Sequence, residues 1–171
     1  YNGFVSISNY FDGGEIMTYH VAVDIGASSG RVVLSNVDDQ MKLDIQEVHR
    51  FKNSFLKLDG YQRWDIENIY NEIIKGLNKV YNIGVQTCTV GIDTWGVDYC
   101  LVDEDGNLLS TPIAYRDNRT EKAMPKIFNH FSKEEIYSKT GIQFQHFNTL
   151  YQLYCEEKNK SIEDLSLEEL K

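Results

Sequence analysis

Val21-Ala22-Val23-Asp24-Ile25-Gly26-Ala27-Ser28-Ser29-Gly30-Arg31 is the stretch whose reading decides the fold. It opens with the alternating apolar residues of a buried strand, and one carboxylate, Asp24, interrupts them. Gly26, Ala27, Ser28, Ser29 and Gly30 then follow as an unbroken run of small residues. Val32, Val33 and Leu34 resume the apolar pattern, so the chain reads strand, tight turn, strand. Small side chains let backbone approach an anion closely, and successive N–H groups can form an anion-binding nest. An aspartate buried beside such a turn is costly without a partner. A hydrated Mg²⁺ suits it, because that ion keeps several waters and is held by one or two carboxylates and phosphate oxygens. An ordinary hairpin with a polar turn fits the same residues.

Composition narrows the classes. The chain has 171 residues, 42% apolar and 25% charged, which is a folded, globular composition with room for a sizeable core. A formal charge of −9 argues against a nucleic-acid surface, which would be basic. No apolar run approaches the roughly 20 residues that span a bilayer. Cys88, Cys100 and Cys155 form no CxxC pair, so free thiols in a reducing compartment, the cytoplasm, are expected.

Outward from the opening stretch, residues 1–16 are polar and aromatic without a period. They are expected to be upstream or extraneous sequence, with Met17 as the natural start. Val21–Ile25, Arg31–Val37 and Lys42–Phe51 read as strands of an antiparallel meander, the third with one break in its alternation near Val48. Lys52–Arg63 reads as a loop. Asp65 can cap a helix carrying Ile66, Ile69, Tyr70, Ile73, Ile74, Leu77, Val80 and Tyr81, which Gly84 ends. Thr87–Ile92, Val97–Val102 and Leu108–Ala114 read as strands, the last two joined by a turn at Asp103–Asn107 with an Asp-Gly signal. Asn118–Phe131 reads as a helix. Ser132-Lys133-Glu134-Glu135 is a capping box opening a helix that Gly141 ends. Asn148 can cap another, to about Lys158. A further capping box at Ser166–Glu169 stands just before Lys171, so the chain is expected to be truncated.

Two further constellations could carry chemistry. Gly91-Ile92-Asp93-Thr94-Trp95-Gly96-Val97-Asp98 breaks an apolar strand at its end, where ligands bind in open α/β sheets. Trp95 offers a flat face to a sugar, Asp93 or Asp98 could accept from hydroxyls, and Gly96 would let a ligand meet the backbone. A structural tryptophan in a kinked strand is the alternative. Tyr115-Arg116-Asp117-Asn118-Arg119-Thr120 reads as a helix cap with a local ion pair, with Asp117 and Arg119 able to reach a ligand. His20, His49, His130 and His146 are scattered, and no HExxH or GxSxG occurs, which argues against a zinc site or a serine hydrolase. The aromatic residues Phe144, Phe147, Tyr151 and Tyr154 read as packing.

The opening stretch is neither a Walker A loop nor a Rossmann fingerprint, since no Gly-Lys-Ser/Thr closes it and the chain returns as a strand rather than a helix. A strand–turn–strand with a metal-side aspartate is the phosphate hairpin of the actin-like ATPase fold. Asp24–Arg31 resembles the first phosphate motif of the FGGY carbohydrate kinases. With Gly91–Asp98, Ala114–Thr120, Gly141–Phe144 and Phe147–Leu153 in matching order, the chain from about Met17 to Lys158 resembles the branch of that family acting on L-rhamnulose.

The resemblance implies an α/β, ribonuclease H-like fold whose mixed sheet opens with the antiparallel meander. It implies transfer of the ATP γ-phosphoryl group to the 1-hydroxyl of L-rhamnulose in rhamnose catabolism, with Mg²⁺, between two closing domains. Ala27, Ser28, Ser29, Gly30 and Arg31 would then serve the ATP phosphates. Gly96 would contact the ketose, with Trp95 and Asp98 at the same site. Asp24 would orient Mg²⁺ and its waters. The family's base is an aspartate after a histidine beyond Lys171, so residues 17–171 are expected to be the first part of the first domain and inactive alone. A kinase for another ketose or polyol, a non-catalytic actin-like nucleotide-binding module, and a purely structural α/β module are the competing expectations.

Overall fold

A computed structural model describes residues 18–156 and divides the chain into two compact units. Of the described residues, Phe55–Trp64 and 97–156 form the second, and 18–54 with 65–96 form the first.

The first unit is one sheet backed by one helix. Its strands are β1 (Tyr19–Ile25), β2 (Ser29–Val37), β3 (Leu43–Lys52) and, as numbered along the chain, β6 (Thr89–Thr94), in the order β3-β2-β1-β6. The first three form the expected antiparallel meander, and β6 lies parallel to β1. The break foreseen in the third strand is a β-bulge. Val32 pairs with His49 and Val33 with Glu47, so Val48 is left over and turns toward the core. Alternation seats Val21, Val23, Ile25, Val32, Leu34 and Phe51 on one face, where Ile69 and Val80 of α1 (Ile66–Asn82) meet them. Asp65 caps α1 as expected, its side chain accepting from the Asn68 N–H at 3.0 Å. Gly76 is where the helix comes closest to the sheet. A β-carbon there would lie 2.3 Å from Val32 Cγ2, inside van der Waals contact.

The second unit has little regular sheet. The segment expected as a loop contains a hairpin, β4 (Phe55–Leu58) with β5 (Tyr61–Trp64), turning through Asp59 and Gly60 at φ of 53° and 82°. Asp-Gly with two positive φ values is a preferred hairpin turn. Trp64 is 1% exposed. Its ring packs on Phe55 and Tyr115, with centroids 4.6 and 6.3 Å away. Its N–H donates to the Pro112 carbonyl at 3.0 Å, and the Ala114 N–H donates to the Gln62 carbonyl at 2.8 Å.

The strands expected at Val97–Val102 and Leu108–Ala114 do not form. Only single bridges remain, Val102 to Leu108 and Arg63 to Ile113. Two backbone bonds close the turn, from the Asp103 N–H to the Asn107 carbonyl and from the Leu109 N–H to the Leu101 carbonyl, both at 2.9 Å, and side chains take further groups inside the turn and at the start of the first segment. The Asp103 carboxylate accepts from the N–H groups of Asp105 and Asn107. The Val97 carbonyl accepts from Thr149 Oγ1 and Gln152 Nε2. The helix expected at Asn118–Phe131 is likewise split into a 3-10 turn (Asn118–Thr120) and the short α2 (Ala123–Ile127). Pro125 lacks an N–H and its ring crowds the preceding turn, so one continuous helix cannot run through it.

Helix α3 (Lys133–Thr140) is capped by Ser132 Oγ, which accepts from the Glu135 N–H at 3.1 Å, and ends at Gly141 in the left-handed region, as the sequence indicated. Helix α4 (Thr149–Glu156) follows Asn148. The Asn148 side chain donates to the Gln143 carbonyl instead of accepting from the helix. Ala123, Ile127, Ile136 and Tyr151 bury the apolar faces of these helices together. The expectations for residues 1–16 and for the Ser166 capping box lie outside the described residues.

Candidate functional site

The turn between β1 and β2 is built from the carbonyls inward. The Gly26 N–H donates to the Ser29 carbonyl at 2.9 Å. The Asn53 N–H donates to the Ser28 carbonyl at 3.0 Å, and Asn53 Nδ2 donates to the Gly26 carbonyl at the same distance. Three carbonyls of the turn are thereby tied into the protein. Among the described residues the N–H groups of Ala27 and Ser28 and the hydroxyls of Ser28 and Ser29 have no protein partner. Tying the carbonyls back leaves a donor-rich tip, as an anion site requires.

Gly30 has a packing role as well. It pairs with Phe51 across the sheet, and a β-carbon on it would fall 2.1 Å from Phe51 Cζ. A glycine that reads as part of a phosphate motif is thus also required by the core.

Asp24 differs from expectation. The sequence pattern suggests a buried residue, but strand alternation between Val23 and Ile25 places it on the opposite face, and its side chain is 46% exposed. Its partner is Arg31. Arg31 Nε donates to Asp24 Oδ2 at 2.8 Å, and Arg31 Nη2 lies 2.7 Å from the same oxygen. Exposed pairs of this kind stabilise little, so Asp24 can exchange partners at small cost. The parallel register sets Asp93 of β6 beside Asp24. A half-exposed carboxylate next to N–H donors is a donor set that suits a hydrated, hard cation carrying phosphate oxygens.

The other expected residues separate by unit. Trp95 and Gly96 close the first unit. The indole of Trp95 packs against the sheet core, and no atom lies within 4 Å of where a Gly96 side chain would start. Asp98 belongs to the second unit, where its Oδ2 accepts from Trp64 Nε1 at 2.6 Å. One of its oxygens is therefore committed to holding Trp64.

The Tyr115–Thr120 segment is structural in this geometry. Asp117, 4% exposed, accepts from the Gln62 N–H at 2.8 Å and from the Arg119 N–H at 2.9 Å. Arg116 lies over the Tyr115 ring instead of pairing with Asp117. Arg119 Nη2 donates to Gln152 Oε1, whose amide Nε2 donates to the carbonyls of Val97 and Phe147.

Sequence reading missed Asn53, Trp64 and Gln152. Asn53 carried a usable signal: it continues the inward alternation of Phe51, so a polar side chain stands at a core-facing position.

Among the described residues no cluster of three or more His, Cys, Asp and Glu forms a metal cage, and no helix is long and apolar enough to cross a membrane.

Comparison with known proteins identifies the family and the fold. The model of the FGGY family of carbohydrate kinases, N-terminal domain, matches residues 19–162. A rhamnulokinase of Enterococcus faecalis is 52% identical over 141 residues, covering 82% of this chain and 28% of the relative. Rhamnulokinases of Bacillus subtilis and Lactiplantibacillus plantarum are 51% and 53% identical, each again with 28% of its length covered. The chain thus spans less than a third of these relatives. Among solved structures, a gluconate kinase from Lactobacillus acidophilus superposes with a TM-score of 0.69 at 16% identity, over 84% of this chain and 29% of that one. A ligand-bound xylulose kinase from the same organism gives 0.68 at 17%, over 83% and 29%. The α/β fold with its mixed sheet is therefore that of the actin-like sugar kinases, and by its family match and its relatives the chain belongs to the FGGY family of carbohydrate kinases.

Proposed function

We propose that the complete protein carrying this chain transfers the γ-phosphoryl group of ATP, as its Mg²⁺ complex, to the 1-hydroxyl of L-rhamnulose in the cytoplasm. The observation that carries the phosphate part is the donor-rich tip at Ala27 and Ser28, with its carbonyls tied back. The choice of sugar is supported by the relatives named rhamnulokinase at 51–53% identity.

Phosphoryl transfer is largely positioning and charge neutralisation, and the metal supplies the neutralising charge on the phosphate oxygens. In this chain Ala27, Ser28, Ser29 and Gly30 hold the phosphates, and Arg31 adds a cation at the turn's exit. Asp24, half-exposed and held only by its pair with Arg31, would hold the water shell of a divalent cation there. Trp95 supplies an apolar face to the ketose, and Gly96 lets it approach the backbone. We assign the general base to no residue of this chain, and expect the chain alone to phosphorylate no sugar.

The test is a coupled ADP-release assay on the complete protein with L-rhamnulose, L-fuculose, D-xylulose and glycerol. The expected result is a kcat/KM for L-rhamnulose at least tenfold above the others, the discrimination that about 1.4 kcal/mol of transition-state binding gives. A higher value for another substrate refutes the choice of sugar. Binding of ATP–Mg²⁺ without turnover of any sugar favours the non-catalytic module, and no nucleotide binding at all favours the structural one.

A further inference from the structure

We infer that Asn53 is a positioning residue for the phosphate turn, setting the affinity for the nucleotide without touching it; this rests on the reading of that turn given above. The position is dictated by strand parity. Phe51 and Asn53 are buried while Lys52 and Ser54 between and after them are exposed, so Asn53 faces inward like a core residue. It is 7% exposed. A polar side chain kept there needs hydrogen bonds, and it finds them on the turn.

The two tethers differ in kind. The backbone N–H of Asn53 holds the Ser28 carbonyl, and any ordinary side chain at position 53 keeps that bond. Nδ2 holds the Gly26 carbonyl at 3.0 Å, and only the amide supplies it. Gly26 and Ser28 flank Ala27, so the tethers grip the peptide units on either side of the tip. Releasing Gly26 lets its carbonyl rotate toward the anion side, where an oxygen lone pair opposes phosphate. The orientation of the amide is fixed by the same contact, since its oxygen cannot face a carbonyl. Asn53 Oδ1 is buried and has no donor among the described residues. The side chain is therefore retained at the cost of one unmet acceptor, which a role in packing alone does not explain.

The experiment uses the complete protein with Asn53→Ala and Asn53→Asp. Ala removes the Nδ2 donor. Asp removes it and sets an acceptor against the Gly26 carbonyl, with a negative charge near the phosphates. The KM for ATP is expected to rise roughly tenfold in Asn53→Ala, the scale of one lost buried hydrogen bond, and further in Asn53→Asp. The KM for the sugar stays within about twofold. A variant that only folded less well would lose active protein and so lower apparent kcat, leaving both KM values alone. That result, or equal rises in both KM values, overturns the inference.

Amide hydrogen exchange supplies an arm independent of catalysis. Faster exchange confined to residues 26–29 in Asn53→Ala, with α1 unchanged, supports the tether, and unchanged exchange there overturns it. If the unaltered protein turns over no sugar, the kinase reading falls while the exchange arm still decides whether Asn53 holds the turn.

Discussion

The two units of this chain solve the same problem with different parts. In the first, the backbone ladder orders the structure and side chains fill one face of it. In the second, side chains order the backbone. Trp64, Asp98, Asp117 and Gln152 hold loops by bonds to carbonyls, N–H groups and one another, and regular pairing among the described residues is reduced to a hairpin of two four-residue strands and isolated bridges. The candidate phosphate turn sits on the ladder. A site that must hold N–H groups in a fixed array benefits from rigid flanking strands.

Each unit carries one of the two tryptophans, which lets the contrast be broken or sharpened directly. The largest effect is expected from Trp64→Ala. It removes a buried indole and its contacts with Phe55, Tyr115 and Asp98, and should destabilise by about 3–5 kcal/mol. Trp95 is then the sole indole and reports the first unit. If the units are separable, urea unfolding followed by Trp95 fluorescence moves little while amide protection in α3 and α4 is lost. A Trp95 transition that shifts by the same amount would show one cooperative structure.

Gly30→Ala strikes the ladder. Its new β-carbon meets the Phe51 ring, and overpacking of this kind costs about 1–3 kcal/mol. The loss should appear in the Trp95 transition and be partly restored by Phe51→Leu in the same chain, a coupling that a double-mutant cycle measures. Additive effects would mean that the ring moves aside freely.

Glu72→Gln is expected to give the smallest effect, a slight loss near neutrality that vanishes in acid. Glu72 Oε1 accepts from Lys75 Nζ, and Oε2 meets His49 Nε2 at 2.7 Å. The Lys75 ammonium first, and then His49, hold the Glu72 carboxyl below its usual value of 4.5. A carboxyl lowered by folding stabilises the native state above its unfolded value, and that contribution is lost as pH falls through the folded value. The first unit's acid limb, followed by Trp95 fluorescence, should therefore be shallower below pH 4.5 in Glu72→Gln. An unchanged limb would show that the pair adds nothing to stability.

The same contrast explains what the sequence revealed. The meander, the bulge at Val48, the Asp65 cap and the α3 helix between Ser132 and Gly141 were legible because local periodicity and capping decide them. Strands at Val97–Val102 and Leu108–Ala114 were misread. Their residues have suitable propensities, but Thr149 and Gln152 claim the Val97 carbonyl, and partners more than fifty residues away leave no local trace. The hairpin at Phe55–Trp64 was passed over although Asp59-Gly60 marks its turn. At the site, the small-residue turn was legible and the tether behind it was not. Asp24 was placed correctly in its strand but on the wrong face.

The hairpin ending at Trp64 has a consequence for how the protein is made. Arg63 donates to the carbonyl of Thr111, 48 residues later. A ribosome adding about 5–20 residues per second delivers that partner roughly 2–10 s after the hairpin emerges. During that interval the nascent chain carries an indole that Phe55 alone covers, its contacts with Tyr115 and Asp98 still to come. Slow codons between Asp65 and Pro112 would lengthen the interval and raise the yield of aggregates in the cell, whereas refolding of the finished chain from urea would be indifferent to them.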